Sequence, residues 1–147
     1  MSAFRTYADV SSLIEDLEGE RLPNVRWTHE AHLAAGLWYV WHLGAEGALV
    51  ELRQWITRHN DSVGTPNTDS SGYHETITRL YICGIADLTF PRTQEDFDST
   101  LVRVLESAMI DSAWPLSTYT KERLFSPGAR REWLCPNLKL DTLRRGN

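Results

Sequence analysis

A chain of 147 residues that is 41% hydrophobic and carries six tryptophans, five tyrosines and four phenylalanines can enclose a real core, and its length suits a single domain over residues 1–147. Its net charge of −5 speaks against nucleic acid and anionic membrane as partners, because both select basic surfaces. The most apolar run, residues 31–43, is too short to span a bilayer and includes His32 and His42.

The opening "MSAFRTYADV" has no basic-then-apolar secretory pattern, so a cytoplasmic protein is expected. Cys83 and Cys135 lie far apart and match no metal spacing, which reads as free thiols in a reducing compartment. The charge is uneven: residues 1–118 hold 8 basic and 17 acidic side chains, residues 119–147 hold 7 and 3. The C-terminal part can therefore offer arginines to an anionic ligand or simply carry a solvated charged surface.

In chain order, Val10, Leu13, Ile14 and Leu17 repeat at helical spacing and predict a helix over 8–17, ended by Gly19 and Pro23. Thr28 is a good N-cap for a second helix that Gly44 should stop, and a third segment over 46–58 follows after a very short turn. "HNDSVGTPNTDSS" is a loop by composition. The next helix is expected to open at Ser71 or Gly72 and to run to about 86. Beyond Pro91 a further helix, capped by Thr93, should turn Phe97, Leu101, Val104, Leu105 and Ala108 to one face. "STYTKERLFSPGARREWL" predicts two short helices broken at Ser126-Pro127, and an extended tail follows. No run reads as a strand. The expected fold is all-α, a single bundle of five to seven helices with a His-lined pocket at one end.

That pocket follows from topology. The short turn at Gly44 makes the helices on either side antiparallel. If the helix after the long loop runs parallel to the first of them, His29, His32, His59 and His74 gather at one end, beside a loop long enough to suggest function. At 100° per residue His29 lies on its helix's apolar face and His32 on the flank, three residues away and able to share a ligand. His74 and Thr78 lie within or beside the face set by Ile77, Leu80, Tyr81 and Ile85. The positive end of a helix dipole disfavours imidazolium, so these histidines are expected to be neutral, as a metal ligand or general base must be.

His29, His32 and His74 are accordingly the candidate ligands for Zn, Fe or Mn, with a metal-free site the alternative. His74 is also the candidate base. Glu75 either shuttles a proton or caps its helix and pairs with Arg79. Tyr73, Thr78, Tyr119, Arg123 and Arg130 are candidate substrate contacts, each also explicable as ordinary packing or surface. His59 reads as a favourable charge at a helix C-terminus, and Glu30 as an outward-facing first-turn acid. Trp38 and Trp41 point off the core face, to pack under the N-terminal helix or to form a homodimer contact.

Three stretches, "WTHEAHLAAGLWYV", "GTPNTDSSGYHETITRLYI" and "STYTKERLFSPGARREWLCPNLKL", resemble a group of small bacterial proteins. Its pattern is a His-x-x-His-Leu helix start, a Gly-Tyr-His-Glu-Thr-Ile-Thr helix start and a Ser-x-x-Ala-Arg segment. The resemblance covers roughly residues 25–140 and implies an all-α fold. It matches His29, His32, His74, Glu75 and Arg130 to the motifs, and it brings no activity. Thr118 stands where the pattern has one of two adjacent aromatic residues.

The expectation is a small enzyme acting on a small organic metabolite by histidine-mediated proton transfer, of lyase, isomerase, cyclase or hydrolase type. The alternative is a non-catalytic small-molecule-binding or accessory protein.

Overall fold

In a computed structural model, which describes residues 2–90 and 95–138, the chain begins with α1 (Tyr7–Glu18). Thr6 and Asp9 form a reciprocal capping box at its start, satisfying first-turn amides that no helix can satisfy itself. Val10, Leu13, Ile14 and Leu17 are the buried face that the spacing predicts.

Thr28 caps α2 (His29–Ser62) by accepting from the Ala31 amide. At Gly44 the backbone leaves the helix, with φ 76° and ψ 178°, a left-handed conformation that glycine adopts without a Cβ clash. The arm over 45–62 folds back on the arm over 29–43, so that the ring of His59 comes within 5.5 Å of Trp27, next to the start of α2. The returning arm runs past the expected end at 58. The Asn60 side chain bonds Asn67 at 3.0 Å and its carbonyl accepts from Thr65 at 2.8 Å, which extends the helix into the loop. His59 is therefore buried in the last turn, 1% exposed, rather than presented to solvent.

The loop is organised by Asn67. Its carbonyl oxygen accepts from Asn60 and from the Tyr73 amide, and its amide donates to the Thr57 carbonyl and Asp61. Gly72 turns the chain at φ 83° against Pro66 and Asn67. Helix α3 (Glu75–Thr89) consequently starts later than expected, with His74 as its N-cap: Nδ1 accepts from the Ile77 amide at 3.1 Å.

Helix α4 (Phe97–Leu105) is capped by Asp96; Thr93, the expected cap, lies outside the described residues. Phe97, Leu101, Val104 and Leu105 are buried as predicted, and Ala108 begins a short 3-10 turn instead of extending the helix. After a second such turn, α5 (Lys121–Leu124) and α6 (Pro127–Arg131) are the two short helices broken at Ser126-Pro127. Residues 132–138 then cross the first turns of α3. The Thr76 hydroxyl donates to the Glu132 carbonyl at 2.8 Å and accepts from the Leu134 amide at 3.1 Å, while Arg79 stacks on Trp133. The described residues are all-helical, with no strand and no helix long and apolar enough to cross a membrane. Trp38 and Trp41 pack within the chain, on Tyr7 and on Phe97.

Two of the three positive-φ glycines among the described residues, Gly44 and Gly72, separate conformational strain from collision. A Cβ on Gly44 would meet nothing within 4 Å, whereas one on Gly72 would stand 2.5 Å from the Pro66 carbonyl oxygen. Gly44→Ala should cost about 1–2 kcal/mol, the left-handed penalty alone. Gly72→Ala should cost more, because backbone has to move. Urea unfolding of both variants measures the order.

Candidate functional site

Helix α3 lies in the groove of the α2 hairpin and runs in the same sense as the arm over 29–43. His29 meets the Tyr81 ring at 5.3 Å, and Gly36, further along, leaves room for the tip of Ile85. Tyr81 stands beside His29, and His74, seven residues earlier, bonds the Ile77 amide and the Leu124 carbonyl instead. These contacts correct the expectation that His29, His32 and His74 face one another. Among the described residues no three His, Cys, Asp or Glu side chains converge on a point that could hold a metal ion. The expected three-histidine set for Zn, Fe or Mn does not fit.

His74 is engaged at both nitrogens. Nδ1 accepts from the Ile77 amide, which assigns the proton to Nε2, and Nε2 donates to the Leu124 carbonyl at 2.7 Å. Burial lowers its pKa, and the positive charge of Arg130 adds to the effect. Its neighbour Glu75 accepts two parallel hydrogen bonds from Arg53, at 3.0 and 2.7 Å, and a third from the Tyr73 hydroxyl at 2.8 Å. Burial pushes the carboxyl up, but the Arg53 and Tyr73 bonds outweigh it and hold it below its usual range. Glu75 neither caps α3 nor forms an ion pair with Arg79; its partner is on α2. His74, Glu75 and Thr76 thereby tie the start of α3 to α5, α2 and the 132–134 strap, while Tyr73 braces Glu75 and Thr78 bonds back to the His74 carbonyl within the helix.

What α3 and the hairpin enclose is an apolar cavity of about 320 Å³. Leu33, Leu52, Ile56, Ile77, Ile82 and Ile85 supply most of its wall, Gly36 makes room for it, and His29, His32, Thr78 and Tyr81 are its polar members. A carbonyl oxygen can only accept, so the contacts of the two histidines assign their protons. His29 donates from Nε2 to the Met109 carbonyl at 2.7 Å, which fixes the orientation of its ring. His32 donates from Nδ1 to the Thr28 carbonyl at 2.7 Å, which leaves it on Nε2. Burial, opposed by the Thr28 bond and reinforced by the nearby His29 and His59, pushes His32 down to about 4. Burial alone lowers His59.

Several buried polar atoms at this end have no hydrogen-bond partner among the described residues: Trp27 Nε1, both ring nitrogens of His59, and the Tyr81 hydroxyl. Trp27 stacks on His32 with ring centroids 3.9 Å apart. Burial raises the Tyr81 hydroxyl to about 12, so it is a hydrogen-bonding group and not an anion. Unpartnered buried polar groups are rare in folded proteins, and they concentrate here beside the cavity. Trp27 and Tyr81 were absent from the sequence-derived site residues. Tyr81 was legible as the residue two turns after His74 on the same face; Trp27 precedes its helix and gave no such signal.

The other expected contacts lie elsewhere. Tyr73 and Arg130 line a separate polar hollow with Arg53 and Glu75, which shares no residue with the apolar cavity. Tyr119 is buried, donating to the Leu134 carbonyl at 2.5 Å, and Arg123 donates to the Cys135 carbonyl at 2.7 Å, so both anchor the C-terminal strap. Glu30 accepts from the Ser2 hydroxyl. No family model, curated protein or solved structure matches the chain.

His74→Ala should destabilise the fold by about 1–3 kcal/mol in urea, since it removes the cap and orphans the Leu124 carbonyl. His74→Asn, which can still cap, should recover part of that loss. The histidines also set an acid limit. Unfolded His32 takes up its proton near 6.5, folded His32 only near 4, so its contribution is complete above pH 6.5 and is lost as the pH falls between these values. Stability should drop by roughly 3 kcal/mol across that window, and the drop should be smaller in His32→Gln.

Proposed function

We propose that this protein binds a small, mostly apolar organic molecule in the cavity between α3 and the α2 hairpin, with the ligand's polar group at the histidine end. One observation carries this reading: apolar walls around about 320 Å³ end at two histidines, each tied to a backbone carbonyl through one nitrogen, and His32 is held neutral with a lone pair on the other. Pockets that combine apolar lining with a few fixed polar groups are the usual form of small-molecule sites, and this volume lies at the small end of their range. An alcohol, phenol or enol would satisfy a lone pair there.

A catalytic reading is favoured by the same fixed tautomer. His32 presents Nε2 as a base, with its orientation held by the Thr28 carbonyl. In that reading a proton leaves a carbon next to a ligand carbonyl for Nε2 and returns at another position, as in an isomerase. His32 replaces His74 as the base, because both nitrogens of His74 are committed.

Calorimetry with 4-ethylphenol and ethylbenzene tests the binding site. Saturable binding of the phenol, weaker binding of the hydrocarbon, and loss of that preference in His32→Phe are expected. Ile56→Trp, which fills the cavity, should remove both, and binding that survives it would refute the assignment. Cyclohexanone in heavy water tests the base: wild-type protein should speed α-deuteration well above His32→Gln, and equal rates would leave binding alone.

A further inference from the structure

The second hollow, between the 63–74 loop, the returning arm of α2 and α6, is chemically unlike the first. It has about 320 Å³ and is lined by Arg53, Thr57, Thr68, Tyr73, Arg130 and Arg131, with Asn67, Asp69 and Glu75 at their sides. The three arginines differ in how their charges are met. Arg53 donates two bonds to Glu75, and Arg131 pairs with Asp69 at 2.9 Å. Arg130 bonds only backbone, the Gly72 carbonyl at 2.8 Å and the Tyr73 carbonyl at 3.5 Å. Both bonds use Nη1. Among the described residues no carboxylate pairs with Arg130.

The Nε and Nη2 hydrogens of Arg130 therefore remain, the parallel pair with which a guanidinium grips two oxygens of one oxyanion. Three arginines face two carboxylates here, in a chain whose net charge is −5, and Arg79 is near enough to Glu75 to favour its ionised form. The Thr57 and Thr68 hydroxyls supply neutral donors around the same hollow, while the Tyr73 hydroxyl is committed to Glu75.

We propose that this hollow is an anion site in which Arg130 binds a single small oxyanion, the phosphoryl or carboxylate group of a ligand. The site is independent of the apolar cavity and does not rest on its occupancy. Its two carboxylates exclude a polyanion spread across the surface and favour one compact charge seated at Arg130.

Titration of 15N-labelled protein with sodium phosphate, and separately with sodium acetate, at constant chloride, tests the site. Saturable changes at the Arg130 Nε–H and at the Thr68 and Tyr73 amides are expected, and the anion that saturates at lower concentration names the group. Arg130→Lys keeps a charge and a donor for the Gly72 carbonyl but loses the fork, and should weaken binding about tenfold or more. Asp69→Asn removes a competing carboxylate from an exposed loop and should tighten binding several-fold. Non-saturating changes, or wild-type affinity in both variants, would overturn the proposal. If Arg130→Lys does not fold, wild-type affinity in Asp69→Asn overturns it alone.

Discussion

The pairing of Glu75 with Arg53 sets the position of α3 along α2, and most of the molecule's chemistry depends on that position. Two parallel charge-assisted bonds at 3.0 and 2.7 Å fix both distance and rotation. The pair is only partly buried: Glu75 is nearly covered while Arg53 is half exposed. Its Coulomb energy is consequently modest and its geometry is what matters. Helix α3 touches the middle of the returning arm at its first residue and the start of α2 two turns later. Tyr81 thus arrives beside His29, and Ile77, Ile82 and Ile85 line the space behind it.

The same contact divides the molecule's polar chemistry in two. On one side of the α2–α3 contact lie Leu52, Ile56 and Ile77, with histidine nitrogens as the only basic groups; on the other lie Arg53, Thr57, Glu75 and Arg130. Adjacent residues on each helix thus serve different surroundings. An apolar, neutral cavity and a charged, hydroxyl-lined hollow select different ligand groups, because a buried charge without a partner is costly and a buried apolar group is not. One ligand class does not suit both.

Neutrality of the histidines has one dominant cause here. Burial opposes the charged form of His32, His59 and His74 alike, and the carbonyl bonds of His32 and His74 only partly counter it. A position at a helix start disfavours imidazolium in the same sense at His32 and His74, whereas His59, expected to be a favourable charge at a helix C-terminus, is instead buried without hydrogen-bond partners among the described residues. Nothing in the spacing of "TRHNDS" distinguishes a solvated helix end from one covered by Trp27, which lies more than thirty residues earlier in the chain.

Local signals determined a good part of this protein from the sequence alone. Apolar periodicity placed α1 and α4, Thr28 and Pro127 marked helix starts, Gly44 marked the reversal, and the absence of alternating runs excluded strands. These features are decided within a few residues, by propensity, capping and φ, so they are legible without the fold. The sequence also brought His29 and His32 to one polar end. The tertiary structure alone decided how far α3 slides along the hairpin. That offset is set by the Glu75–Arg53 pair, by the Asn67 loop and by the 132–134 strap, contacts between residues 22, 6 and 56 or more positions apart. A helical period fixes which face a residue shares but not the axial register between two helices. For this reason "GYHETIT" looked like an active-site string, and the fold uses it to fasten one helix to its neighbours.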